Sequence, residues 1–124
     1  MTSPLSASPY RHMTQANMAD ALRRAAAMVT DNTWTQYAFF EAPDGTSLLS
    51  GQGGQAAKCC AMGALEIAAG EGRAEHIISV LLETGLLFSE TNYYSLIDWN
   101  DQPDREPAHV RALFHRLADQ LDAA

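Results

Sequence analysis

The sequence has little positive charge. Of its 124 residues, eight are Lys or Arg and fifteen are Asp or Glu, so the formal net charge at pH 7 is −7. Proteins that read DNA or RNA carry clustered basic residues, and the basic residues here do not form a run. Direct binding to nucleic acid is therefore not expected. An acidic surface favours solubility or a basic partner instead.

Long hydrophobic runs and export signals are absent from the sequence. No apolar stretch reaches the ~18 residues that span a bilayer. Residues 1–11 lack the basic head and apolar core of a signal peptide. We therefore expect a cytoplasmic protein with no membrane contact. The only two cysteines, Cys59 and Cys60, are adjacent. A disulfide between neighbours is strained, so both are predicted to be free thiols.

The common metal and cofactor motifs are also missing. The sequence has no CxxC, no HxxxH and no carboxylate triad at ligand spacing. The glycine-rich segment 50–57 (SGQGGQAA) lacks the Gly-Lys-Ser/Thr ending of a phosphate-binding loop. The histidines are interpreted as solvated side chains. The prediction is therefore no metal and no cofactor.

What the sequence does contain is typical of one globular domain. Hydrophobic residues make up 47% and charged residues 19% of the chain, and its length fits a single domain. Residues 1–13 are rich in Ser and Pro and are predicted to form a flexible arm. Residues 14–124 are predicted to form one globular unit.

Apolar residues at helical spacing dominate the pattern. They predict helices over about 15–30, 60–70, 73–84 and from 107 onward, with Thr14 as an N-cap and Pro107 as a first helical residue. An aromatic segment, a Pro-Asp-Gly turn and a short return predict a hairpin over 34–49. Residues 92–99 are compatible with a short helix or an extended piece. The expected fold class is α+β, mainly α-helical: a compact single domain of four to five helices with a small β-hairpin.

The start of the second helix is the first place where chemistry is conceivable. Cys60 precedes this helix, and a helix N-terminus lowers a thiol pKa. A thiol nucleophile needs partners from later in the chain, and residues of the right type follow: His76, His109, His115, Asn100 and Asp101. The alternative is that Cys60 is a small buried residue that opens a core helix. Gly63, inside the same helix, indicates close packing or a ligand.

The segment Trp99-Asn100-Asp101 is the second candidate. Asn and Asp side chains bond to nearby backbone N–H groups, which predicts a capped turn pinned to the core by Trp99. The functional alternative makes Asp101 a base or an orienting carboxylate. A third feature is a group of aromatic residues, in which core packing is the default and any exposed member marks an interaction surface. The group is Trp34, Tyr37, Phe39, Phe40, Tyr93, Tyr94 and Trp99.

Together these features resemble a small family of unknown function found in actinobacteria, other bacteria and their phages. The family pattern is an opening helix, a Trp, a Cys-x-x-Gly-Ala helix start, a Trp-Asn-Asp and a terminal helix. Here it corresponds to residues 21–26, Trp34, 60–64, 99–101 and 110–117. The resemblance covers residues 18–121. It implies that six residues belong to one shared feature: Cys60, Gly63, Ala64, Trp99, Asn100 and Asp101. The extra Cys59 and the glycine loop depart from the pattern.

Three functions remain open at this point. The first is a small acidic accessory protein, encoded by a bacterium or phage, that binds a protein partner or forms a homodimer. The second is a thiol-dependent hydrolase or transferase that uses Cys60. The third is an acidic decoy of nucleic acid, in which carboxylates replace phosphates. The incomplete catalytic set favours the first function over an enzyme.

Overall fold

The computed structural model describes residues 13–123 and confirms a mainly helical α+β domain. This range contains four long helices, two short ones and a small sheet. The helices are α1 (Gln15–Met28), α2 (Ala61–Ala69), α3 (Glu71–Glu83), α4 (Leu86–Thr91), α5 (Leu96–Asn100) and α6 (Pro107–Ala123). The strands are β1 (Phe40–Glu41), β2 (Ser47–Leu48) and β3 (Lys58–Cys59), and a 3₁₀ turn spans Gly53–Gln55. The predicted arm lies outside the described residues, except for Met13, which packs against the core.

The core is built mainly where α1 packs on α6, with α2 against the other side of α1. The apolar stripe predicted on the last helix is buried in full, at Val110, Leu113, Phe114, Leu117 and Leu121. Burying each such side chain contributes about 1.5–3 kcal/mol relative to exposure. Helix α2 is buried along its first six residues, as its apolar composition predicted.

Helix α1 begins where the sequence predicts and ends two residues early. Thr14 caps it by accepting a hydrogen bond from the backbone N–H of Asn17 at 3.0 Å. At the other end, the hydroxyl of Thr33 donates to the carbonyl of Met28 at 2.7 Å and accepts from the N–H of Thr30 at 2.9 Å. These side-chain bonds take over the groups that another helical turn would use, so the helix stops at Met28.

The sheet is antiparallel, with strand order β2-β1-β3. The predicted hairpin forms, with Phe40 opposite Leu48. The predicted first strand is shorter than expected, because only its last two residues pair and Trp34 makes a single bridge to Cys59. The chain leaves the extended conformation at Tyr37, whose φ is 67°. Strand β3 was not predicted, because a strand of two residues is too short to show an alternation of apolar and polar side chains.

The ambiguous segment 92–99 contains one short helix, α5, and the short helix α4 that precedes it was not predicted. Gly85 has a left-handed φ of 77°, which ends α3 and starts α4. Ser95 then caps α5 by accepting from the N–H of Asp98 at 3.1 Å. Within residues 13–123, no helix has the length and apolar character needed to cross a membrane.

Candidate functional site

Three segments that are far apart in sequence meet at the N-terminus of α2. They are the loop at Trp34, the Cys60-Ala61 helix start and the Trp99-Asn100-Asp101 segment. The helix start lies 39 residues from Asn100, and Trp34 lies 66 residues from it. The motifs that the resemblance groups together therefore lie in direct contact.

Asn100 forms the centre of this site. Its side-chain oxygen accepts hydrogen bonds from the indole N–H of Trp34 at 2.8 Å and from the backbone N–H of Ala61 at 2.9 Å. Its amide nitrogen donates to the carbonyl of Thr35 at 3.2 Å and to a carboxylate oxygen of Asp101 at 3.0 Å. The side chain is fully buried and uses both of its donors and both acceptor positions.

The orientation of the Asn100 amide follows from its partners. The indole and backbone N–H groups can only donate, so the atom facing them must be the oxygen. Because one of these donors is the first N–H of α2, Asn100 also caps that helix from a distance. The sequence predicted bonds to neighbouring backbone N–H groups for Asn100. The backbone groups that it bonds, in Thr35 and Ala61, are instead distant in sequence, because the side chain points into the α2 start.

Cys60 is the N-cap residue of α2. Its sulfur accepts a hydrogen bond from the N–H of Gly63 at 3.3 Å, and its carbonyl accepts from the N–H of Ala64 at 2.9 Å. The side chain is buried, with 2% of its surface exposed. The helix N-terminus is thus occupied by Cys60 and Asn100. An oxyanion would have to displace these groups to reach the same N–H donors.

Burial raises the pKa of the Cys60 thiol from 9.0 to about 11, although the Gly63 and Met62 N–H groups act in the opposite direction. The negative charge of Asp101 contributes to the rise. Burial also raises the pKa of Cys59 to about 11. The sequence predicted that the helix N-terminus lowers the pKa of the Cys60 thiol. The structure reverses this prediction, because the cost of burying a thiolate is larger than the stabilisation by the helix N-terminus.

We expect both thiols to alkylate slowly in the native protein at pH 8 and faster as the pH approaches 11. Unfolding should expose thiols with an ordinary pKa, so rapid labelling should follow denaturation. Because the folded pKa is raised, the thiols should also cost stability as the pH rises from 9 to 11. Mass spectrometry after iodoacetamide treatment measures the labelling rate of each thiol. Fast labelling of native Cys60 at pH 7 contradicts the expectation.

Asp101 supports the loop that carries Trp34. One of its carboxylate oxygens accepts from the backbone N–H of Tyr37 at 2.9 Å as well as from Asn100. The amide of Gln36 donates to the carbonyls of Asn100 and Gln102 at 2.9 and 2.7 Å. This bonding holds Tyr37 in its left-handed conformation. The sequence candidates Cys60, Asn100 and Asp101 are therefore brought together, and each holds backbone in place.

Trp99 fixes the same segment to the core. It is buried, and the guanidinium of Arg105 lies 4.0 Å from the centre of its ring. The Nε of Arg105 also donates to the carbonyl of Trp99 at 2.9 Å. This cation–π contact and hydrogen bond close the loop that precedes α6. The prediction that Trp99 pins a turn to the core is confirmed.

Sequence reasoning missed a second polar cluster, at the glycine-rich loop. Glu66 lies on α2 and is buried, with 7% of its surface exposed. It accepts hydrogen bonds from the N–H of Gly51 at 2.5 Å and the hydroxyl of Ser50 at 2.7 Å. The Ser50 oxygen also lies 2.8 Å from Glu71. Glu66 thus ties the loop to α2. The sequence does hold a signal for this cluster, because Glu66 is an acidic residue among the apolar residues of a helix predicted to be buried.

The other predicted chemical groups lie on different parts of the fold. His109 accepts a hydrogen bond from the N–H of Glu106 at 3.0 Å and caps α6, while His115 is exposed on that helix. His76 is half-buried on α3. In the described part of the chain, no group of three or more His, Cys, Asp and Glu side chains is placed to hold a metal ion.

These features define a class of small, mainly helical domains in which a buried asparagine joins an aromatic loop to a helix N-terminus. The chain belongs to the Family of unknown function (DUF6197), whose sequence profile matches residues 13–120. The suspected membership in a family of unknown function is thereby confirmed. No curated protein and no solved structure shows significant similarity to the chain.

Proposed function

We propose that the protein is a non-catalytic, acidic interaction domain that binds a protein partner through Phe88 and Tyr94. The observation that carries this proposal is a stacked aromatic pair on the surface. The two ring centres lie 4.5 Å apart, and Tyr94 is 73% exposed. We call these two side chains the aromatic pair. In this proposal the protein acts in the cytoplasm of a bacterium, and its gene is bacterial or carried by a phage.

Hydrogen bonds fix the backbone between the two members of the aromatic pair. The hydroxyl of Thr91 donates to the carbonyl of Leu87 at 2.6 Å and accepts from the N–H of Tyr93 at 2.9 Å. Asn92 between them is left-handed, with a φ of 62°. The turn directs Tyr93 toward the core and leaves Tyr94 exposed. Rigid exposed aromatics bind at low entropic cost and are common binding hot spots.

Charge indicates the kind of partner. The chain carries a net charge of −7, and Asp98, four residues after Tyr94, is exposed. Complementary charge at the rim of an interface speeds association and fixes orientation. We therefore expect a partner with an apolar pocket for the aromatic pair and Lys or Arg residues around it.

The two other functions receive less support. A thiol enzyme needs an accessible thiolate, whereas the Cys60 thiol is buried and its pKa is raised. A nucleic-acid decoy needs free carboxylates, whereas several acids already pair with basic residues of the chain. These pairs are Asp20 with Arg24, Glu41 with Lys58, Glu90 with Arg116, and Asp119 and Asp122 with Arg23.

Tyr94→Ala should weaken partner binding by roughly thirtyfold, because a central interface tyrosine contributes about 2 kcal/mol or more. Leu49→Ala is the matched control, since Leu49 is also 73% exposed but lies after β2. The measurement is quantitative mass spectrometry of proteins retained by each immobilised variant, followed by titration of the retained protein.

Support requires a protein retained by the wild type and the control but lost with Tyr94→Ala. The proposal is contradicted if the wild type and both variants retain the same protein equally. It is also contradicted if no protein is retained specifically and the wild type is a monomer in solution. Sedimentation of the wild type over a range of concentrations tests whether the partner is a second copy. Cys60→Ser keeps a capping oxygen at the α2 start and should bind the partner normally. A thiol enzyme would lose its activity with this change.

A further inference from the structure

A cleft of about 430 Å³ opens beside α1, at the junction of α2 and α3. Its walls include Asn17, Asp20 and Arg24 from α1, Ala68 from the end of α2 and Arg73 from the first turns of α3. The volume is in the range of sites that hold small molecules. The aromatic pair and Cys60 do not line this cleft, so it is a separate feature of the molecule.

Arg24 is fixed in place by the protein. Its Nε donates to the carboxylate of Asp20 at 2.9 Å, and one terminal nitrogen donates to the carbonyl of Ala68 at 2.6 Å. These two bonds account for two of the five N–H donors of the guanidinium. The group is therefore positioned in advance, and a ligand that binds it does not have to order a free side chain.

Arg73 differs from the two arginines of α1. Among residues 13–123, no carboxylate lies within ion-pair distance of it, whereas Arg23 and Arg24 both have carboxylate partners. The nearby Glu71 carboxylate lies 2.8 Å from the hydroxyl of Ser50. Arg105 and Arg111 also lack a carboxylate partner, but each donates a hydrogen bond to a backbone carbonyl, whereas no such bond holds Arg73 among the described residues.

The local charge of the cleft is opposite in sign to that of the whole protein. Its lining contains two arginines, Arg24 and Arg73, and one acidic residue, Asp20. Guanidinium groups bind carboxylate and phosphate oxygens with pairs of parallel, charge-assisted hydrogen bonds. The amide of Asn17 adds a neutral hydrogen-bonding group to the same wall.

We propose that this cleft binds a small polar molecule through a phosphate or carboxylate group, held between Arg24 and Arg73. The volume exceeds that of a single inorganic ion, so the cleft has room for the rest of a small molecule beside its anionic group. This inference does not depend on the interaction through the aromatic pair, because the two features share no residue.

The test is a titration of the full-length protein with inorganic phosphate and, separately, with succinate, at constant ionic strength. Calorimetry or chemical shifts of the arginine Nε–H groups report binding. Saturable binding of phosphate alone indicates a phosphorylated ligand, and binding of succinate alone indicates a carboxylic acid. Arg73→Gln should weaken the bound probe about tenfold or more, because it removes charge-assisted hydrogen bonds.

Arg23→Gln is the matched control. It also removes one positive charge, but Arg23 lies on α1 and contacts Asp119 and Asp122 on α6. The control should bind the probe as the wild type does, and so should Tyr94→Ala. The proposal is overturned if neither probe binds saturably to the wild type, or if Arg73→Gln and Arg23→Gln weaken binding equally. Thermal unfolding of Arg73→Gln checks that the variant is folded.

Discussion

Asn100→Ala is expected to lower the free energy of unfolding by about 3–5 kcal/mol, the largest effect of any polar substitution in the described chain. The change removes four hydrogen bonds at one buried position. It leaves the Trp34 indole N–H and the Ala61 N–H without their acceptor, and each unsatisfied buried group costs about 1–3 kcal/mol. Loss of the contact also releases the loop from the α2 start.

Urea denaturation followed by tryptophan fluorescence measures this effect, since Trp34 and Trp99 both lie at the site. Asn32→Ala is the control, because Asn32 is exposed in a turn and should change stability by no more than about 0.5 kcal/mol. If Asn100→Ala lowers the free energy of unfolding by less than about 1 kcal/mol, Asn100 does not hold the three segments together.

Asn100→Asp separates geometry from hydrogen bonding at the same position. The oxygen that faces Trp34 and Ala61 is retained. The other atom changes from a donor to an acceptor that faces the Thr35 carbonyl and the Asp101 carboxylate. Burial and Asp101 both favour the protonated form of the new carboxyl, which can still donate. The variant should therefore be closest to the wild type at low pH and lose stability as the pH rises.

Much of the fold follows from local signals in the sequence. The stripe from Val110 to Leu121 defined α6, and Thr14 marked the start of α1 because its hydroxyl replaces a missing helical partner. The Pro-Asp-Gly turn located the hairpin. These signals act over a few residues, so one sequence is sufficient to recognise them.

The site depends on contacts that the sequence does not encode locally. The partners of Asn100 are up to 66 residues away, and the same Asn could equally cap its own turn. The position of Cys60 at the α2 N-terminus predicted a lowered thiol pKa, but burial raises the pKa, and only the packed fold determines burial. The cleft at Arg73 likewise appears only when α1 and α3 are placed together.

Gly63→Ala is expected to destabilise the protein by about 2 kcal/mol or more. A Cβ at this position would lie 2.5 Å from the carbonyl oxygen of Phe39 and 2.8 Å from the Phe40 ring. The Phe39 carbonyl cannot retreat freely, because it accepts the N–H of Cys60 at 3.0 Å. Overpacking of this kind costs about 1–3 kcal/mol, and breaking the backbone bond adds to it. Alanine regains at most about 1 kcal/mol of helix propensity.

Two other glycines form a graded control for the same measurement, thermal or urea unfolding. At Gly53 an added Cβ would lie 3.0 Å from the Ile67 side chain and 3.1 Å from the Phe40 ring but meet no backbone atom, and at Gly54 no atom of the described residues lies within 4 Å. Gly54→Ala should therefore be nearly neutral, and Gly53→Ala should be intermediate. If Gly63→Ala is as stable as Gly54→Ala, backbone approach does not explain this glycine. A stable Gly63→Ala that loses a ligand or partner would favour the ligand interpretation of Gly63.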